Sequence, residues 1–490
     1  MNLKFGLVAL LISSFFASIV QFNFGKTEIT LENLDTGNGQ YIYYDLYKPK
    51  IASEKNKVPF IAIIPGFQRS KEALSNIAIE LSRRGYVVGL IDPYAQGLSS
   101  SSRSRIAATT QGYGMFALIE HVNESSDFNF INKELLGSTG HSMGGNAAIR
   151  GANYFGKKAD KQNKKSLLHS VYVSGYVLTL RDDVLKDVRS NVGVSYALYD
   201  EGSFRNELKN WDAANMKIAP ESLRTVNSGL KKEEHISEVE LGKYYGDLES
   251  NTLRVIFNEE LLHPFQPYNA EATANQLAYF ETVFGAPIKL DTFDQIWQWK
   301  EFFTLLNMII SFWLLIPLTR TLLKINFFKT LVKPIPEALP VQNGVGKTIF
   351  WSVFFISAGI ACVTFIPLVE VAKTLFSEAA TRQLTWFFPQ RMNNSVMLWA
   401  TLNGSIGILL FFVTYYFFGK KHGVKINSWG LELSLKDIYK TILLGLIIFI
   451  VYFSLLFLIY FLFHIDYRFW FMGVRIFQPE MLLVLAMYFP

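Results

Sequence analysis

The chain has 490 residues, 50% of them hydrophobic, with 47 Lys and Arg against 41 Asp and Glu for a net charge of +6. That length exceeds one ordinary domain, and the basic residues form no patch on the polar part of the chain, which excludes nucleic-acid binding. The one cysteine, Cys362, lies in an apolar run, so no internal disulfide forms and residues 26–300 hold neither a cysteine nucleophile nor a Cys-based zinc site.

Residues 1–25 open with Lys4 and an apolar run from Phe5 to Phe22. The run is about long enough to cross a bilayer core. It reads as a membrane anchor, with a cleaved signal peptide as the alternative because the small-x-small pattern at Ala17-Ser18-Ile19 is weak. Residues 26–295 alternate strand and helix signals. Strands are expected at Val58–Pro65, Tyr86–Asp92, Leu135–His141, Leu168–Val177, Val192–Tyr199 and Leu253–Asn258. Helical spacing occupies Lys71–Arg84, Gly144–Tyr154 and Ala270–Phe284. Such alternation implies an α/β fold, a parallel sheet with helices on both faces. Residues 202–250 interrupt it with a polar, helix-prone insertion, read either as a cap or as a solvated excursion.

Residues 296–490 read as an all-α transmembrane region. Four runs, near Phe302–Leu323, Ile349–Val369, Val396–Phe418 and Thr441–Phe463, each approach the ~20 residues that span ~30 Å of hydrocarbon. A last run from Met481 to Pro490 is too short to span and reads as a re-entrant or truncated piece. Lys324, Lys329, Lys333 and Lys347 follow the first run, and Lys420, Lys421, Lys425, Lys436 and Lys440 follow the third. Lysine-rich loops favour the cytoplasmic side, which places residues 26–295 on the outer face and makes membrane lipid a partner.

The chemistry centres on Gly140-His141-Ser142-Met143-Gly144. A serine hydroxyl must stand clear of the sheet and meet a base before it can attack a carbonyl. A sharp strand-to-helix turn provides the first, and glycines allow the backbone to make it. Chance alone predicts roughly 0.2 occurrences of such a pattern in this length, and here an apolar strand precedes it and a small-residue helix follows. Two backbone N–H groups must face the developing oxyanion. Met143, after the serine, offers one, and Phe67, after Pro65-Gly66, offers the other.

Ile61–Ser70, Gly85–Ser99 and Gly-His-Ser-Met-Gly-Gly at 140–145 resemble the α/β-hydrolase superfamily, in particular its dienelactone-hydrolase, lipase and cutinase-like esterase branch. The resemblance covers residues 40–290. Pro65 stands where that family commonly has His before the oxyanion-loop glycine. The resemblance implies the order nucleophile, acid, histidine. His169, His235 and His263 follow Ser142 before the apolar runs. His169 comes too early and His235 sits in a charged stretch, which leaves His263 as the base. The acid is expected at Asp200, with Glu201 second and Asp182 and Asp183 as outside candidates. Tyr94 and Phe67 are candidates to line a pocket. No metal or cofactor is called for. The implied function is ester hydrolysis through an acyl-enzyme on an ester or lipid-like substrate. The alternatives are acyl transfer to a lipid or surface acceptor, and a hydrolase-like domain that only binds.

Overall fold

The computed structural model describes residues 2–335, 344–381, 383, 385–429, 434–468 and 479–489. Eight strands form one sheet in the order β1-β2-β4-β3-β5-β6-β7-β8. They are β1 Thr27–Gly37, β2 Gln40–Pro49, β3 Val58–Ile64, β4 Val87–Ile91, β5 Ile131–His141, β6 Ser170–Ser174, β7 Asn191–Ala197 and β8 Arg254–Glu259. β1 and β2 pair antiparallel with each other, and β2 pairs antiparallel with β4. From β4 to β8 all neighbours run parallel. This is the α/β-hydrolase arrangement.

The parallel strands are buried on both faces, which is why they read as continuous apolar runs. Side chains alternate across the sheet. In β3, Phe60, Ala62 and Ile64 join one core, and Ile61 and Ile63 join the other. α3 Met115–Glu124 and α4 Met143–Gln162 cover the first face. α2 Ser75–Arg83 and the later helix Ala270–Phe284 cover the second.

The structure adds to the sequence expectations at three places. The hairpin of β1 and β2 extends the sheet by two strands where no strand was anticipated. The segment Lys71–Arg84 is a 3₁₀ turn at Lys71–Leu74 followed by α2. Residues 202–250 hold one short helix of eight residues, α5 Pro220–Asn227. The rest is mostly turns, with many residues exposed, while Ala214, Met216, Ala219, Val226 and Val239 are buried in the first core.

The other α-helices longer than four residues among the described residues are α1 Leu3–Gln21, α6 Ala270–Phe284, α7 Trp297–Leu322, α8 Gly344–Leu375, α9 Arg391–Thr414, α10 Leu435–Phe463 and α11 Glu480–Tyr488. Five helices are long and apolar enough to cross a membrane: α1, α7, α8, α9 with its continuation to His422, and α10. The run from Met481 forms α11, and Pro490 lies outside the described residues.

The chain divides into two compact units. One comprises residues 1–317 and 451–476. Within it, Leu10 and Ala17 of α1 share a small core with Leu314, Leu456, Ile459, Ile465 and Tyr467. The other comprises residues 318–450 and 477–490. There Trp399 Nε1 donates to Ala361 O at 2.8 Å, and Lys333 pairs with Asp437 at 3.3 Å.

In the first unit Glu80, fully buried, joins α2 to the start of α7. Its Oε1 accepts from the N–H groups of Ile296 and Trp297 at 2.7 and 3.1 Å, while Oε2 pairs with Arg84 at 3.0 Å. A carboxylate at a helix N-terminus meets unpaired donors and the positive end of the dipole. Glu80→Ala leaves the buried Arg84 guanidinium with backbone carbonyls but no paired carboxylate, and is expected to cost ~3–5 kcal/mol. Denaturant unfolding of the full chain followed by tryptophan fluorescence checks this, and an unchanged midpoint contradicts it.

Candidate active site

β5 ends at His141 and α4 begins at Met143, so the whole reversal falls on Ser142, which adopts φ 58°, ψ −121°. A non-glycine residue at positive φ is strained and is held there only by its surroundings. The surroundings are tight. A Cβ on Gly144 would lie 1.9 Å from Ile64 O, and one on Gly140 would lie 2.5 Å from both Ile64 O and the Gly144 carbonyl carbon. Only glycine lets the ends of β3 and β5 close on the turn. Ser142 N–H donates to Ser174 O at 2.8 Å, tying the turn to β6 as well.

The loop after β3 lies against the same turn. A Cβ on Gly66 would come within 3.1 Å of His141 O and of Ser142 Cβ. Phe67 therefore follows a residue in contact with the serine, and its side chain is half exposed. Met143 opens α4, and the first N–H groups of a helix have no partner within it. Both expected oxyanion donors thus sit on backbone segments that border Ser142.

His263 opens a 3₁₀ helix, His263–Tyr268, after β8. Its Nδ1 lies 2.9 Å from Asp200 Oδ2, with Asp200 buried and His263 partly so. Asp200 Oδ1 accepts from Gly202 N–H at 2.6 Å. Burial raises the Asp200 carboxyl pKa, but the hydrogen bond and charge of His263, with the Gly202 N–H, outweigh it and hold the group below its ordinary range. The imidazole also sits beside the residue that precedes the serine. The rings of His141 and His263 are 4.6 Å apart, and His141 Nε2 meets His263 O at 3.1 Å.

Of the other acids expected from sequence, Glu201 is exposed, and Asp183 pairs with Arg181 at the surface. Asp182 is exposed too. Tyr94 is buried in the first core, with its hydroxyl 2.5 Å from Thr36 Oγ1. Asp92 is buried and accepts from Lys71 and Leu98 N–H at 2.8 and 3.1 Å. Among the described residues no group of three or more His, Cys, Asp or Glu is placed to hold a metal ion.

Two features escaped the sequence reading. His141 is fully buried. Burial, then the neighbouring His263 and Arg69, pull its pKa well below the ordinary imidazole value, so it stays neutral. A network under His263 is the other. Gln266 Nε2 donates to Ser195 Oγ at 2.5 Å and to Glu259 Oε2 at 3.2 Å, and Ser195 donates to Glu259 at 2.8 Å. It fixes the His263 segment to β7 and β8. A glutamine three residues after the histidine was the one available signal, and no motif marks it.

The lowered Asp200 pKa has a pH signature. The folded chain binds this proton more weakly than the unfolded chain. The stability it contributes is full above ~3.9 and is lost as pH falls through the lower folded value. The stability advantage of the native chain over Asp200→Asn is expected to be larger at pH 7 than at pH 3 in parallel denaturant titrations. An advantage independent of pH contradicts the pairing.

Residues 13–201 match the family model described as PETase, PET hydrolase-like. That stretch includes Ser142 and Asp200 but stops before His263. No curated protein matches the chain. Among solved structures, an esterase of Pyrococcus furiosus covers 53% of this chain and 93% of its own, at 11% identity and a TM-score of 0.36. A dienelactone hydrolase of Anabaena variabilis covers 53% and 99%, at 14% identity and 0.34. An α/β hydrolase of a Penicillium species covers 52% and 99%, at 13% identity and 0.35. The eight-stranded sheet and the family-model match together support a hydrolase with the α/β-hydrolase fold.

Proposed function

We propose that the chain is a membrane-anchored serine hydrolase that cleaves carboxylic esters. Ser142 is the nucleophile, His263 the base, Asp200 the acid that orients it, and the N–H groups of Phe67 and Met143 the oxyanion donors. The observation that carries this reading is the pairing of His263 with Asp200 at 2.9 Å beside a strained serine turn. A carboxylate on Nδ1 leaves Nε2 as the nitrogen that takes the serine proton, and it stabilises the imidazolium that results. The match of residues 13–201 to a hydrolase family supports the reaction class.

The first step forms a bond from Ser142 Oγ to the ester carbonyl carbon as His263 takes the hydroxyl proton. Collapse expels the alcohol, which receives that proton. Water then attacks the acyl-enzyme with His263 again as base, releases the acid and restores Ser142. His141 is a buried neutral neighbour and adds no second positive charge as the imidazolium develops.

The membrane part of the proposal rests on the five apolar helices. The lysines after α7 and after α9 favour one side, which puts residues 26–295 on the extracytoplasmic face. We read residues 1–25 as an anchor, 26–295 as the hydrolase domain and 296–490 as the transmembrane region.

Ser142→Ala is expected to lower turnover of p-nitrophenyl acetate by several orders of magnitude, as loss of a triad member does, with little change in the unfolding midpoint. Asp200→Asn leaves a wrongly oriented or wrongly protonated imidazole and is expected to lower kcat by up to ~10⁴. Initial rates of the purified full chain in detergent measure both. Turnover within threefold of the native chain for Ser142→Ala excludes the serine mechanism.

A further inference from the structure

A cavity of about 300 Å³ lies within the first unit, next to the two loops that carry the candidate chemistry. On one side its wall is Ser70, at the exit of the loop that begins with Gly66 and Phe67. Phe265 and Tyr268, from the 3₁₀ helix that His263 opens, extend the same wall. The other wall is α7, through Trp297, Thr304, Leu305 and Met308. Met308 lies eleven residues beyond Trp297, about 16 Å of helix rise. That is about half of the ~30 Å hydrocarbon layer.

The chemistry of the walls is divided. Leu305 and Met308 form an apolar end on a helix apolar enough to cross a membrane, and Leu305 is half exposed on the outside of that helix. The opposite end carries Glu72, Lys300, Glu301, Asp466 and Arg468. Both cations there are already paired. Lys300 Nζ lies 2.9 Å from Ser75 Oγ and 3.0 Å from Glu301. Arg468 Nε lies 2.6 Å from Asp466, and its guanidinium lies 3.7 Å from Glu72. With three carboxylates around two engaged cations, this end does not suit an anion. It suits a polar, uncharged group.

Two buried side-chain oxygens on lining residues make no hydrogen bond among the described residues: Glu72 Oε2, which has the Arg468 guanidinium at 3.7 Å, and the Tyr467 hydroxyl. Tyr467 is 1% exposed. A buried hydroxyl left unmade is costly, and a ligand carbonyl or hydroxyl would satisfy it. The volume is at the lower end of the range for small-molecule sites, enough for part of a chain but not for a whole diacyl lipid.

We propose that this cavity binds one acyl chain of an uncharged ester drawn laterally from the bilayer. The chain lies along Leu305 and Met308. The polar end meets Tyr467 and the paired charges, and the ester linkage is delivered toward Ser142. The delivery step rests on the serine-hydrolase reading above; the binding step does not.

The test uses the full chain carrying Ser142→Ala, so that the ester survives, in phosphatidylcholine vesicles containing a monoacylglycerol with a diazirine on its acyl chain. After irradiation, the adduct is expected on Thr304, the buried cavity residue that adjoins Leu305 and Met308 on α7. It should fall at least fivefold in a chain that also carries Leu305→Trp and Met308→Trp, which fill the space. Adducts confined to exposed helix faces, or unchanged by the two tryptophans, overturn the proposal. A second measurement needs no label. With Ser142 restored, the two tryptophans are expected to lower the ratio of turnover of p-nitrophenyl palmitate in vesicles to that of p-nitrophenyl acetate at least tenfold. An unchanged ratio also overturns it. Loss of the serine reading alone would appear as p-nitrophenyl acetate turnover that survives Ser142→Ala while labelling of the cavity persists.

Discussion

The whole site depends on a steric constraint: no Cβ fits at residues 140 and 144. With glycine there, the carbonyl of Ile64 comes close enough to the first turn of α4 to leave the chain a single residue in which to reverse. That residue is Ser142, at φ 58°. Parallel strands β3 and β5 meet at this point in register, with Ile64 opposite Gly140. The same contact therefore joins the loop that holds Phe67 to the turn that holds the serine. The strain is sustained by pairing on both flanks, since Ser142 N–H reaches across to Ser174 at the end of β6.

Electrostatics then decides what the turn can do. Asp200 is buried, which by itself disfavours its charge, yet its contacts with His263 and Gly202 keep it ionised. A charged carboxylate on one imidazole nitrogen fixes the tautomer that leaves the other as a base. His141, packed against the same ring, is held neutral by burial. The 3₁₀ helix that bears His263 is in turn pinned by Gln266 to Ser195 and Glu259. Orientation thus comes from the sheet and not from the flexibility of a loop.

Much of this was legible in the sequence, and the reasons are specific. β3, β4 and β7 are buried on both faces, so each appears as an unbroken apolar run. The histidine could be chosen because charge and position removed His169 and His235. β1 was missed because its eleven residues are mostly exposed and partly exposed in alternation at the sheet edge, leaving no apolar run to see. Its turn, Asn38-Gly39 with φ of 56° and 72°, is nevertheless the strongest short hairpin signal. The core residues within 202–250 were hidden by the polarity around them, since small apolar residues such as Ala214 and Ala219 do the burying. The Ser195–Glu259–Gln266 network joins residues up to 71 positions apart, a pairing that no local pattern encodes. The choice between Asp200 and Glu201 was likewise undecidable from two adjacent acids. The structure buries Asp200, with its carboxylate 2.9 Å from His263, and exposes Glu201.

The most direct measurement of the central claim is intact-protein mass spectrometry of the full chain after reaction with a fluorophosphonate, followed by peptide mapping. One adduct per chain on Ser142, formed at least a hundredfold more slowly when His263 is replaced by alanine, is the required result. An adduct on another residue, or a rate indifferent to His263, would contradict the account.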